Sequence, residues 1–111
     1  MSLSLRQQKV ASLWQQMLAT LLVDELTTRS TACTIYAVIP TADLKHAEVR
    51  ISAVGPDGAA VVEKLNVQRG AWSRALASKL ESKFSPRLNF VFDQTEEKAF
   101  EIEQMIKGLN E

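Results

Sequence analysis

Hydrophobic positions at the start of the chain follow a helical rhythm. Val10, Leu13, Trp14, Met17, Leu18, Leu21, Leu22 and Leu26 recur at steps of three and four residues. That spacing lays a broad apolar stripe along a helix of about six turns. Its start is marked by Ser4-Leu5-Arg6-Gln7, a capping box in which the Ser4 hydroxyl covers an orphan amide and Gln7 reaches back. Residues 27–31, polar and β-branched, end it. The period then drops to two. Residues 32–39 are rich in β-branched and aromatic side chains and stop at Pro40, while Val49, Ile51 and Ala53 alternate with Glu48, Arg50 and Ser52. These are predicted as two adjacent antiparallel strands, joined through residues 41–46 with Asp43 in the connection.

Gly55-Pro56-Asp57-Gly58 has the composition of a tight turn, with Asp57 placed to cap the next helix. Residues 59–67 and 71–84 both favour helix. Gly70 between them costs about 1 kcal/mol relative to alanine in a helix interior, which predicts a kink or a brief break. Leu88, Phe90 and Phe92 alternate as a third strand after Ser85-Pro86. Thr95-Glu96-Glu97 then opens a last helix with acids at its positive end and an apolar side of Ala99, Ile102, Met105, Ile106 and Leu109. The order αββααβα, with a kinked helix pair, predicts an α+β two-layer sandwich: a three-stranded sheet with helices on one face.

At 111 residues the chain is the size of one domain, 1–111, with no internal repeat, low-complexity run or linker. A hydrophobic fraction of 46% and a charged fraction of 23% exclude a disordered or fibrous class. Cys33 is alone and the start is not signal-like, so a reducing, cytoplasmic setting is expected. The apolar stretch at 13–23 is interrupted by Gln15 and Gln16 and is too short for a membrane span.

Charge changes the picture more than composition does. Between residues 64 and 87 the bases Lys64, Arg69, Arg74, Lys79, Lys83 and Arg87 face the single acid Glu81, a balance of +5. Residues 93–111 carry −4 and residues 1–63 carry −1, so a formally neutral chain is strongly polarised. A charged partner responds to the local field rather than to the sum.

Candidate chemistry is sparse. One histidine, His46, and one cysteine, Cys33, exclude a zinc site of the usual type, and they read as a solvated loop side chain and a small buried hydrophobe. The glycine turn at 55–58 lacks the Lys-Ser/Thr of a phosphate loop. Glu96, Glu97, Glu101 and Glu103 are spread around their helix rather than paired for acid–base work. No enzyme, cofactor, metal or small-molecule substrate is expected.

The segment around Gly70 is more informative. At 100° per residue, Ser73, Leu76, Ala77, Leu80 and Phe84 fall on one side of the second helix, which is expected to face the sheet. Trp72 lies at the edge of that side, placed to stack or to snorkel, next to Lys79 and Lys83. Ala71, Ala75, Ser78 and Ser82 form a neighbouring strip of small residues with Arg74 beyond. Small residues flanked by cations let a phosphate backbone approach, with lysines as point charges and Arg69, Arg74 and Arg87 as forks. The same pattern also fits an ordinary solvated basic face with Trp72 partly buried against the first helix.

Asp43-Leu44, Ala47, Val49, Ile51, Ser52, Gly70, Pro86-Arg87-Leu88-Asn89-Phe90 and Asp93 together resemble the pattern of the bacterial ribosome-binding factor A family. The resemblance spans roughly residues 9–106. It implies a variant of the type II K-homology fold, in which an interhelical kink of the form Ala-x-Gly, here Gln68-Arg69-Gly70, replaces the RNA-binding glycine loop. Arg29 stands where the family has Asp-Pro-Arg, and Ser73, beside Arg74, where an arginine is frequent. By resemblance the chain is expected to be a non-catalytic assembly factor that binds the small ribosomal subunit and its ribosomal RNA during late maturation and rRNA processing. The expected RNA-binding residues are Arg69, Gly70, Arg74, Lys79, Lys83 and Arg87, with Gly70 setting the helix angle and Arg6 and Lys9 extending the surface. A monomer is expected. The residues also admit a domain that docks an acidic protein partner, or a generic K-homology-like module for single-stranded RNA.

Overall fold

The computed structural model describes residues 3–93. The helix expected after Thr95 lies outside them. Helix α1 spans Leu5–Leu21 and opens on the expected capping box, with the Gln7 amide donating to Ser4 Oγ at 3.1 Å and the Ser4 amide to Gln7 Oε1 at 3.0 Å. Its stripe buries Trp14 and Leu18, while Leu13 stays on the outer flank. The helix does not run unbroken to Leu26. Leu22 leaves helical geometry at φ −99° and ψ 6°, and a separate turn, α2 at Val23–Leu26, carries the stripe to Leu26.

Strand β1 (Ala32–Pro40) pairs antiparallel with β2 (His46–Val54), and β3 (Arg87–Phe92) pairs parallel with β2, giving the order β1-β2-β3. A bulge at Tyr36 shifts the register between Ile35 and Ala37. It changes which parity faces inward: Cys33 and Ile35 before it and Val38 and Pro40 after it are all buried. Ala47, Val49, Ile51, Leu88 and Phe90 complete the inner face. Helix α1 packs over β1, and α3 (Gly58–Val67) and α4 (Arg69–Lys79) pack over β3. This is the expected two-layer α+β sandwich.

The ends of these elements differ from expectation in three places. Asp57 takes the N-cap position of α3, but its side chain makes no cap; its carboxylate accepts from Ser30 Oγ at 2.6 Å and its amide donates to Thr31 Oγ1 at 3.0 Å. The break between α3 and α4 falls at Gln68, with φ −104° and ψ 15°, whereas Gly70 sits inside α4 without a left-handed φ. The residue that leaves helical geometry between the two helices is thus Gln68, two positions before Gly70. Finally, α4 ends at Lys79. The Ser82 amide bonds the Ala77 carbonyl at 2.9 Å and the Glu81 amide the Ser78 carbonyl at 3.2 Å, with Glu81 left-handed at φ 53°. This reciprocal pair closes the helix as a Schellman motif. Phe84 consequently leaves the sheet-facing side and is 82% exposed, and Lys83 is not one helical turn from Lys79.

Candidate nucleic-acid interface

The topology brings three strand ends to one edge of the molecule. Because β2 and β3 are parallel they start side by side, with His46 opposite Arg87; because β1 is antiparallel it finishes there, with Pro40 opposite Ala47. The connection between β1 and β2 is held by Asp43, whose carboxylate accepts from Thr41 Oγ1 at 2.6 Å and from the Lys45 amide at 3.0 Å. The Thr41 hydroxyl and then the Lys45 amide hold this carboxyl below its ordinary range. The Arg87 amide donates to the Lys45 carbonyl at 2.8 Å, fixing the start of β3 against the same connection.

Opposite these strand ends stands the first part of α4. Ser73, buried in the helix, donates its hydroxyl to the Pro86 carbonyl and fastens α4 to the segment leading into β3. Arg69, Gly70 and Arg74 line one wall of the resulting groove, and Arg87, with Thr41, His46 and Glu48, lines the other. The groove measures about 830 Å³.

Its electrostatics are positive. Glu48 is committed to Arg50, 2.8 Å from carboxylate oxygen to Nε, whereas Arg69, Arg74 and Arg87 have no ion-pair partner among the described residues. The α4 N-terminus has no side-chain cap and no acid in its first turn. Arg69, Arg74 and Arg87 are exposed, and Gly70 adds no side chain between them. A Cβ at position 70 would stand 3.4 Å from Arg74 Nη1, so glycine leaves that approach open. Such a site can receive an extended polyanion, with forked guanidiniums on phosphate oxygens.

The structure thus gathers Arg69, Gly70, Arg74 and Arg87 of the expected residues. Lys79 and Lys83 are exposed but do not line the groove, and neither do Arg6 and Lys9 on α1. The start of α1 still reaches the rim, since Gln7 Nε2 donates to the Pro40 carbonyl at 2.9 Å. Trp72 neither stacks outward nor snorkels: it packs against the core, and its buried indole nitrogen has no hydrogen-bond partner among the described residues. Thr41, His46 and Glu48 carry no local sequence signal as site residues, because their meeting with α4 depends on the parallel pairing of β2 with β3. Cys33 is buried, and burial pushes its thiol up. Among the described residues no three His, Cys, Asp or Glu side chains gather to hold a metal, and no helix is long and apolar enough to cross a membrane.

The family model described as Ribosome-binding factor A matches residues 6–106. A Ribosome-binding factor A of Chlorobaculum parvum is 34% identical over 111 residues, covering 96% of this chain and 92% of its own. That of Chlorobium phaeobacteroides is 37% identical over 109 residues, covering 95% and 94%. The crystal structure of ribosome-binding factor A from Thermus thermophilus superimposes with a TM-score of 0.66 at 20% identity, over 77% of this chain and 93% of that one. A homology model of the Thermus thermophilus factor, fitted into a cryo-EM map of a 30S complex, gives 0.63 at 23% identity, over 75% and 90%. These structural likenesses bear on the fold.

Proposed function

Because the chain belongs to the ribosome-binding factor A family, we propose that it is an assembly factor of the small ribosomal subunit, binding that subunit and its ribosomal RNA during late maturation and rRNA processing. It acts in the cytoplasm, as a monomer and without catalysing a reaction. The observation that carries this reading is the groove between α4 and the strand ends, where Arg69, Arg74 and Arg87 surround Gly70 and carry no ion-pair partner among the described residues. Phosphates enter that groove; Lys79, Lys83, Arg6 and Lys9 extend the positive surface around it. The Thermus thermophilus factor fitted into a 30S complex supports the same partner.

Sedimentation of the purified protein with separated small and large subunits tests the reading. Association selective for the small subunit, weakened by salt and lost when Arg69, Arg74 and Arg87 are all changed to glutamine, is the expected result. Equal association with both subunits, or none, would overturn it.

A further inference from the structure

We infer that Phe84 is a stacking platform for an unpaired nucleobase, so that the RNA received by this chain is single-stranded where it leaves the arginine groove. The inference rests on the RNA-binding reading above and adds the class of RNA to it. Phe84 would belong to the core if α4 ran on, since it continues the side of Ser73, Leu76 and Leu80. The Schellman closure at Lys79 ends the helix first, and the ring emerges 82% exposed.

The backbone that carries the ring is hydrogen-bonded on both sides of it. Ser82 Oγ donates to the Phe84 carbonyl at 2.9 Å and accepts from the Phe84 amide at 3.3 Å, while the Pro86 carbonyl is held by Ser73. Its chain neighbours fix the kind of partner. Ser85 and Arg87 line the groove, and Lys83 precedes the ring. An exposed aromatic between Lys83 and Arg87 in the chain, next to residues that line a groove fit for phosphates, matches the pairing of stacking surface and basic track by which proteins hold single strands. Bases within a duplex are already stacked and paired, so they offer no face to such a ring.

A short single-stranded RNA carrying a fluorescent purine analogue, and a duplex of the same sequence, serve as probes. Phe84→Ala is expected to weaken the single strand about ten-fold and the duplex not at all, with Phe84→Trp restoring the single-strand affinity. The thermal midpoint and the slope of log affinity against log salt should stay at their original values, because neither core packing nor a phosphate contact is removed. Unchanged single-strand affinity, or an equal loss on the duplex, would overturn the stacking role. If Phe84→Ala has no effect while the arginine variants still lose the small subunit, only this inference falls; if the unsubstituted protein binds neither RNA nor subunit, both fall.

Discussion

Asn66 and Phe90 are joined by two hydrogen bonds that together imitate a strand pairing. Asn66 Nδ2 donates to the Phe90 carbonyl at 2.7 Å, and Asn66 Oδ1 accepts from the Phe90 amide at 2.9 Å. Among the described residues strand β3 is the sheet edge on that side, paired only with β2. The last turns of α3 therefore cover the middle of an edge that would otherwise offer free backbone groups to another chain.

Removing that cover has a definite expected effect. Asn66→Leu leaves a part-buried donor and acceptor unpaired, a loss of about 1–3 kcal/mol. Asn66→Asp keeps the acceptor, loses the donor and sets a carboxylate against the Phe90 carbonyl, so it should also destabilise. Urea unfolding measures both. A midpoint unchanged in the leucine variant would mean that water replaces the asparagine without cost.

Glu81 is a second local test. It holds a left-handed φ of 53° as the residue that closes α4, where glycine is the usual occupant. Glu81→Gly should stabilise the protein by about 1 kcal/mol by relieving that conformation. A lowered unfolding midpoint would show that the Glu81 side chain makes a larger contribution than its backbone strain removes.

The same residue explains where the sequence is legible and where it is not. Apolar spacing and residue composition locate α1, β1, β2, α3 and β3, although the α1 stripe runs past the break at Leu22 and Asp57 makes no side-chain cap on α3. They overrun α4, since the closing position holds Glu81 rather than Gly or Asn and the apolar spacing continues through Leu80 to Phe84. Spacing alone therefore puts Phe84 in the core and Lys83 on the helix face, and the structure puts them in neither place. Of the groove, the arginines are legible as charge, whereas their opposite wall is not: Thr41, His46 and Glu48 arrive through long-range pairing that no local pattern encodes. Gly70 is legible as a special position but for a different reason than the break, which Gln68 makes.

That distinction gives a separable prediction for Gly70. With a helical conformation and only Arg74 Nη1 within 3.4 Å of an added Cβ, Gly70→Ala should leave the fold intact and raise its stability by about 0.4–1 kcal/mol. If RNA backbone approaches the groove wall at Gly70, the same methyl should weaken subunit binding. Stronger folding with weaker binding is the expected combination, read by thermal unfolding and sedimentation together. Destabilisation would show that glycine is needed by the fold after all.

The arginines and the outer lysines should separate in their dependence on salt. A cation that touches a phosphate displaces a condensed counterion, so Arg69→Gln, Arg74→Gln and Arg87→Gln should each lower the slope of log affinity against log salt by about 0.7–0.9. Lys79 and Lys83 lie outside the groove. Acting through the field rather than by contact, they are screened over about 8 Å at physiological ionic strength, so Lys79→Gln and Lys83→Gln should weaken binding chiefly at low salt. Titrating each variant against small subunits across a salt series decides between contact and field. A lysine variant that reduces the slope as much as Arg74→Gln would move the phosphate path from the groove to the far end of α4, along the connection that carries Phe84.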